Sequence, residues 1–203
     1  MPGDDLAAVI LAGGESTRLG RDKALIAVGG VTLLARTAAL AARVCREVYV
    51  SGRDPGNCLP QVAWFADATP RIGPMGGIMT ALTVLARPVL ALPCDLPLLT
   101  EPVLARLISR RDRRAKDAVM TVYLHPETGY IESLAAIYEP AALGYLRGAA
   151  AMGMYKLSRA IPEEARNHVP CRPGEAAVFF NVNRPEDLDR LDDDSLGACA
   201  PGQ

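Results

Sequence analysis

Residues 6–23 read LAAVILAGGESTRLGRDK and join a short apolar run to a glycine-rich loop. The run Leu6–Leu11 contains no polar side chain, which is typical of a strand that is buried on both faces of a sheet. The next apolar segment, 32–44, reads TLLARTAALAARV and has helical spacing, with Arg36 and Arg43 expected in solvent. A buried strand followed by a loop and an amphipathic helix predicts the start of an α/β fold.

The same alternation continues along the chain and predicts right-handed βαβ units in a mainly parallel sheet. We expect one three-layer α/β domain over residues 1–192 and a flexible tail over 193–203, where the sequence turns acidic and then small and polar. Thr100 and Pro102 are placed to open one of the helices. Further strands are predicted at 47–51, 62–66, 88–92, 118–123, 134–138 and 178–180, and further helices at 76–86, 101–111, 140–147, 155–161 and 185–191.

The charge balance excludes several classes of protein. The chain has 203 residues, with 22 Lys and Arg against 23 Asp and Glu, and a formal net charge of −1. Proteins that coat nucleic acid or anionic membranes usually carry a concentrated basic excess, so neither partner is expected here. Any anionic ligand must therefore be held by a local site.

The cysteines and the apolar runs indicate the expected compartment. The five cysteines are scattered, and no CxxC pair or Cys/His cluster is present, which argues against a zinc site or a disulfide framework. Acidic residues occupy the N-terminus where a signal peptide would be basic. No apolar run approaches the roughly 20 residues that cross a bilayer. We expect a cytoplasmic protein without a membrane span.

The glycine-rich loop after the first strand has the chemistry of a phosphate site. Gly13 and Gly14 allow a sharp turn that brings backbone N–H groups close to a phosphate chain. Arg18 and Lys23 supply cations to those phosphates. The spacing matches neither the GxxxxGK[ST] phosphate loop nor the GxGxxG dinucleotide fingerprint.

Asp95 is the most informative carboxylate in the sequence. It follows the predicted buried strand 88–92 and stands among apolar residues in LPCDLPLL. An ionised carboxylate in such surroundings needs compensation, for which Mg²⁺ bound to nucleotide phosphates is a good candidate. An aspartate that caps the turn before Pro97 is the alternative, and the adjacent Cys94 is expected to be a small buried residue.

Two more polar segments follow predicted strands. In DATPRIGPMGGI, Asp67 ends a strand, and the glycines around Gly76 open a helix whose N-terminus favours an anion or a base edge. In FFNVNRPEDL, Asn181 and Asn183 share one face of an extended segment and could complete a metal site or bind a substrate. Ordinary turn residues are the alternative in both segments.

Other polar residues are expected to be structural. His125 and His168 stand in polar, Pro-flanked surroundings and are expected at the surface rather than in acid–base chemistry. Ser16 lacks the GxSxG context of a hydrolase nucleophile. The run RRDRR at 110–114 is expected to be a solvated helix end.

Taken in order, LAGGESTRLGRDKAL, Asp67 before GPMGGI, PCDLPLL and FFNVNRPEDL resemble the MobA-type molybdenum cofactor guanylyltransferases. The resemblance covers most of the chain and implies a three-layer α/β/α, Rossmann-like nucleotidyltransferase fold. It implies that GTP and molybdopterin form the guanine dinucleotide cofactor and pyrophosphate with Mg²⁺. It also implies roles for individual residues: catalytic Arg18, Lys23 and Asp95, the last on the metal; nucleotide-binding Leu11, Ala12, Gly13, Gly14, Lys23, Asp67, Gly76 and Asp95; and acceptor-binding Asn181 and Asn183.

The chain departs from this family in two places. It reads Ser51-Gly52-Arg53 where the family usually has an Asn, which removes one expected guanosine contact, and it has Glu132 and Ser133 where many members carry a His-Pro or Gln-Pro pair. Transfer from CTP, a different phosphorylated acceptor, and a nucleotide-binding homologue with weakened turnover therefore stay open as alternatives. We expect a monomer whose protein partners are molybdopterin-insertion proteins or a molybdoenzyme chaperone.

Overall fold

A computed structural model describes residues 5–13, 22–69, 71–183 and 185–188 of the chain. The predicted tail therefore lies outside the described residues. The strands are β1 (Ala7–Leu11), β2 (Ala27–Val28), β3 (Val31–Thr32), β4 (Glu47–Ser51), β5 (Ala63–Phe65), β6 (Val89–Pro93), β7 (Met120–Leu124), β8 (Ile131–Tyr138) and β9 (Arg166–Pro170). The helices are α1 (Leu33–Val44), α2 (Pro74–Leu85), α3 (Glu101–Arg111), α4 (Ala142–Ala151), α5 (Leu157–Ala160) and α6 (Pro185–Leu188).

Seven of these strands form one sheet in the order β5-β4-β1-β6-β8-β7-β9. The four strands from β5 to β6 are parallel, as the βαβ alternation predicts. Strand β8 runs antiparallel to both of its neighbours, and β9 is parallel to β7. The sheet is thus mainly parallel, and β6 and β7 point in the same direction.

Helices cover both faces of the sheet and confirm the three-layer arrangement. Helices α2, α4 and α5 enclose one apolar cluster, and α1 and α3 enclose another. Neighbouring residues of β1 pack into different clusters on the two faces of the sheet: Val9 packs with α2, and Ala8 packs with α1. This double burial explains why the β1 sequence has no polar position. Within the described residues, no helix combines the length and apolar character required to cross a bilayer.

Helix α1 begins where the sequence indicates, but one of its arginines is not in solvent. Thr32 caps the helix, and its Oγ1 accepts a hydrogen bond from the Ala35 N–H at 3.2 Å. Arg36 is buried, and its guanidinium donates to the Val28 carbonyl at 3.0 Å. The prediction that Arg36 lies in solvent is therefore wrong, because the β2–β3 hairpin, which was not predicted, packs over this part of the helix. Arg43 is exposed, as expected.

In the C-terminal third, one predicted strand is wrong and one observed strand was not predicted. The predicted strand 178–180 falls largely in a 3₁₀ helix at Glu175–Phe179. Gly174 enters it with a φ of 80°, and the Glu175 carboxylate accepts a hydrogen bond from the Arg172 N–H at 2.9 Å, so the chain turns here. Strand β9 was not predicted, because it lies at a sheet edge and its half-buried residues RNHVP lack an apolar pattern.

The basic run at the end of α3 is only partly solvated. Arg110 and Arg113 are exposed, as predicted, but Arg111 is 4% exposed. Its two Nη atoms donate to the carboxylate of Asp5 at 2.8 Å, and its Nε donates to Glu139 at 2.7 Å. The hydrogen bond from Arg111 lowers the pKa of Asp5. The expectation of a fully solvated helix end is therefore wrong, because this arginine pairs with Asp5, two residues before β1, and with Glu139, directly after β8.

We predict that Arg111→Met lowers the free energy of unfolding by about 3 kcal/mol, because it leaves the buried Glu139 without its main partner. Arg113→Met removes an exposed arginine two positions away and should change the same quantity by less than about 0.5 kcal/mol. Urea denaturation measures both variants. Equal losses would contradict a special role for the buried pair.

Candidate functional site

The predicted site residues that the structure describes converge at one edge of the sheet. Strand β1 pairs in parallel with β4 and β6, so Leu11 lies level with Ser51 on one side and Pro93 on the other. The residues that follow the three strands therefore face the same edge, which is where open α/β sheets bind ligands. At this edge, the Ala12 N–H donates a hydrogen bond to the Ser51 carbonyl at 3.0 Å, which holds the start of the glycine-rich loop against β4.

Lys23, Asp95 and Asn183 meet at this edge although they are far apart in sequence. The Nζ of Lys23 lies 3.3 Å from Oδ2 of Asp95 and donates to Oδ1 of Asn183 at 2.7 Å. The Val182 N–H donates to the Asp95 carbonyl at 3.0 Å, which holds the segment with Asn181 and Asn183 beside the end of β6. Three of the residues predicted to form the site are thus in direct contact.

The surroundings of Asp95 fit a hard cation. Burial raises the pKa of Asp95, while Lys23 and Asn181 act in the opposite direction. The Oδ1 atoms of Asp95 and Asn181 are buried, and neither has a hydrogen-bond partner in the described part of the chain. Across the described residues, no group of three or more His, Cys, Asp or Glu side chains is arranged to hold a metal ion. Two free oxygens suit Mg²⁺, which takes oxygen ligands and fills its remaining positions from water and phosphate.

Gly13 and Gly52 pack backbone to backbone at the base of the glycine-rich loop. A Cβ on Gly52 would lie 2.4 Å from the Cα of Gly13, and Gly52 has a φ of 92°. The departure from the family at Gly52 therefore has a physical reason in this chain, because no other residue fits this contact. Ser51 donates to Oδ1 of Asp67 at 2.6 Å, and a Cβ on Gly13 would lie 3.1 Å from Oδ2. The Asp67 carboxylate thus lies next to the predicted nucleotide loop.

Gly76 has a packing role in the structure. It lies in the first turn of α2, and a Cβ there would approach the Thr69 carbonyl oxygen to 2.6 Å. Only glycine allows α2 to begin this close to the loop after β5.

Leu11 and Ala12 lie at the end of β1 as predicted, whereas Gly14 and Arg18 lie outside the described residues.

An ion pair that was not predicted from the sequence supports Lys23. Oδ1 of Asp22 accepts the Ala24 N–H at 3.1 Å, and Oδ2 of Asp22 pairs with the Arg53 guanidinium. This pair ties the turn carrying Lys23 to the end of β4. The sequence does contain a signal for this pair. Arg53 closely follows the predicted strand 47–51, and the acidic Asp22 stands directly before the predicted phosphate-binding Lys23.

His125 and His168 were expected at the surface, but both are partly buried. Cys94 is buried, as predicted. Nε2 of His125 lies 2.7 Å from Oε1 of Glu132, and both side chains are 14% exposed. His168 is half-buried, and burial lowers its pKa. Neither ring is fully solvated, because His125 directly follows β7 and contacts Glu132 of β8, and His168 lies within β9. Cys94 is buried, and burial raises its pKa to about 12, so it is an inert thiol at neutral pH.

The comparison with known families agrees with this geometry. The profile of the MobA-like NTP transferase domain matches residues 8–169, which include all of β1 except Ala7, the Asp67 loop and Asp95. The chain belongs to this family. It is therefore a nucleotidyltransferase, as the resemblance in the sequence implied.

Individual relatives extend the match over nearly the whole chain. The molybdenum cofactor guanylyltransferase of Xanthomonas euvesicatoria is 31% identical over 190 residues, with 90% of this chain and 92% of the relative covered. A molybdenum cofactor biosynthesis bifunctional protein of Synechocystis is 30% identical over 193 residues, covering 92% of this chain, and the chain spans 53% of that longer protein.

A solved structure shows the same fold. Molybdopterin-guanine dinucleotide biosynthesis protein A from Archaeoglobus fulgidus superposes with a TM-score of 0.74 at 22% identity. The superposition covers 91% of this chain and 95% of that one. The arrangement of helices and strands is therefore shared even where the sequences have diverged.

We predict that Gly52→Ala destabilises the protein more than Gly56→Ala does. Both glycines have positive φ, 92° and 53°, but only the Cβ at position 52 would clash with another backbone segment. The left-handed conformation alone costs about 1 kcal/mol at Gly56, and the added clash should cost about 2 kcal/mol more at Gly52. Urea denaturation compares the two variants, and equal losses would show that the contact with Gly13 relaxes without cost.

Proposed function

We propose that the protein transfers GMP from GTP to molybdopterin with the help of Mg²⁺, forming molybdopterin guanine dinucleotide and releasing pyrophosphate. The contact of Lys23 with Asp95 and Asn183 beside the end of the glycine-rich loop is the observation that carries this proposal. Relatives that bear the name molybdenum cofactor guanylyltransferase support the choice of substrates.

The proposed reaction requires positioning and charge neutralisation rather than a covalent enzyme intermediate. The phosphate monoester of the acceptor attacks the α-phosphorus of GTP, the bond to the β-phosphate oxygen breaks, and pyrophosphate leaves with its electron pair. The Lys23 ammonium neutralises charge that develops on the phosphates. Asp95 and Asn181 would hold Mg²⁺ through the side-chain oxygens that have no hydrogen-bond partner among the described residues, and the ion would supply Lewis-acid stabilisation of the phosphoryl oxygens.

The other end of the site is suited to a guanine base. Ser51 holds one oxygen of the Asp67 carboxylate at 2.6 Å and thereby orients the other. A carboxylate accepts hydrogen bonds only, and guanine presents adjacent donors at its ring N–H and 2-amino group. We therefore assign Asp67 to the guanosine part of GTP, in agreement with the resemblance to the family.

The remaining parts of the proposal come from the sequence. We propose that Arg18 and Gly14 complete the phosphate-binding loop and that Asn183 lies on the acceptor side. We propose further that residues 1–192 act as one domain in a cytoplasmic monomer. Its product would pass to a molybdopterin-insertion protein or a molybdoenzyme chaperone.

We predict that Asp95→Asn and Lys23→Met each lower the rate of pyrophosphate release from GTP and molybdopterin by about 10²- to 10³-fold. Lys116→Met removes an exposed lysine and serves as the control, with an unchanged rate. Asp95→Asn should also weaken the binding of Mn²⁺ in the presence of GTP, measured by electron paramagnetic resonance. Full activity of Asp95→Asn would refute the proposed role of that carboxylate. Tight GTP binding by the wild type with no product would favour a non-catalytic nucleotide-binding protein.

We predict that the wild-type protein binds GTP at least about tenfold more tightly than ATP, CTP or UTP and that Asp67→Asn loses most of this preference. A tenfold ratio corresponds to about 1.4 kcal/mol, close to the lower end of the roughly 1.5–3 kcal/mol contributed by one hydrogen bond to a charged group. Asp117→Asn, which changes an exposed aspartate, is the control. Calorimetric titration with Mg²⁺ measures all four nucleotides. A clear preference for CTP would instead establish cytidylyl transfer.

A further inference from the structure

Asn181 and Asn183 lie on residues 180–183, a segment that forms neither a helix nor a strand. The Val182 N–H donates a hydrogen bond to the Asp95 carbonyl at 3.0 Å, and the Val182 side chain is fully buried. These contacts fix the middle of the asparagine segment. Oδ1 of Asn181 has no hydrogen-bond partner among the described residues, so the orientation of this side chain depends on how the chain enters the segment.

The 3₁₀ turn Glu175–Phe179 leads into the asparagine segment, and Arg106 of α3 holds its first residue. The Arg106 guanidinium pairs with the Glu175 carboxylate, and the two side chains are only 16% and 14% exposed. Oε2 of Glu175 also accepts a hydrogen bond from the Arg172 N–H at 2.9 Å. Charge-assisted hydrogen bonds are among the stronger polar contacts in proteins, so the start of the turn is fixed to α3.

Arg106 also supports the last residue of the turn, through Tyr123 of β7. Nε of Arg106 donates to the Tyr123 hydroxyl at 3.0 Å, and the guanidinium carbon lies 4.9 Å from the centroid of that ring. The Tyr123 ring packs in turn against the Phe179 ring, with 5.3 Å between centroids. Tyr123 is fully buried, so it forms a rigid support. One arginine therefore holds both ends of a five-residue turn.

Asn181 is placed between two fixed points of the chain. Phe179 precedes it by two residues, which span at most about 7 Å, and Val182 follows it directly. A shift of the 3₁₀ turn would therefore move Asn181 relative to Asp95. Such a shift matters for a metal site, because Mg²⁺ requires near-ideal octahedral geometry with short bonds to its oxygen ligands.

We propose that Arg106 is a positioning residue for the candidate metal site: it holds the 3₁₀ turn through Glu175 and Tyr123 and thereby keeps Asn181 beside Asp95. Arg106 acts from α3 through these side chains rather than on the ion or the substrates. The inference rests on the proposed function, because the role of Asp95 and Asn181 as metal ligands belongs to that proposal.

The decisive measurement is the affinity of the full-length protein for Mn²⁺ in the presence of GTP, followed by electron paramagnetic resonance. We expect Arg106→Leu to raise the Mn²⁺ Kd by about tenfold, since loss of the contacts that orient metal ligands weakens metal binding by about 10- to 100-fold. The Kd of GTP without metal should change by less than about twofold, because α3 does not carry the glycine-rich loop or Asp67. An unchanged Mn²⁺ Kd would overturn the inference.

Two further variants separate positioning from general stability. Arg87→Leu breaks an ion pair with Glu47 at the opposite edge of the sheet and should leave the Mn²⁺ Kd unchanged. Glu175→Gln removes only the charge of the partner of Arg106 and should raise the Mn²⁺ Kd by about threefold, which tests the inference even if Arg106→Leu does not fold. An equal rise in Arg87→Leu, or no rise in Glu175→Gln, would contradict a positioning role.

The outcome also distinguishes this inference from the proposed function. If the wild type forms no dinucleotide from GTP and molybdopterin but Arg106→Leu still weakens Mn²⁺ binding, the transfer reaction is contradicted and the positioning role is supported. If the wild type forms the product and the Mn²⁺ Kd of Arg106→Leu is unaltered, the transfer reaction is supported and the role of Arg106 is overturned.

Discussion

The parallel pairing of β1 with both β4 and β6 is the constraint on which the rest of the structure depends. It places Leu11 level with Ser51 and Pro93, so the chain leaves three neighbouring strands at the same height. Gly13 and Gly52 can then touch backbone to backbone, and Asp95 leaves β6 beside them. Because side chains alternate between the faces of a strand, a slip of one residue in either pairing would reverse these positions and bury polar groups in the core.

At the carboxyl edge of the sheet, opposite charges compensate one another within a small group of residues. The chain as a whole is close to neutral, so a triphosphate and a phosphorylated acceptor have to be attracted by local groups. Lys23 compensates the mostly buried Asp95, and Asn183 accepts a hydrogen bond from the same ammonium group. Two buried oxygens, on Asp95 and Asn181, stay unpartnered among the described residues. Unsatisfied polar atoms cost stability, and they are expected where a protein reserves groups for a ligand.

Ion pairs elsewhere in the molecule hold the segments that build the site. Arg53 and Asp22 tie the turn of Lys23 to β4, and Arg106 ties Glu175 to α3 just before the segment that carries Asn181. The pair of Arg111 with Glu139 lies at the opposite edge of the sheet, where β1 begins and β8 ends. The buried ion pair at that edge therefore stabilises the fold, whereas the ion pairs at the carboxyl edge also position the candidate site.

The sequence by itself determined the layer architecture and indicated which of the described residues lie together at the carboxyl edge of the sheet. Buried parallel strands require unbroken apolar runs, so β1 and β6 could be located from local pattern, and the polar residues that follow them had to face one edge. Tertiary structure alone decided the contacts of residues that are distant in sequence, including Lys23 with Asn183 and His125 with Glu132. It also decided that Arg36 and Arg111 are buried, because whether an arginine lies in solvent depends on which distant carbonyl or carboxylate packs against it. Local spacing carries no information about such partners.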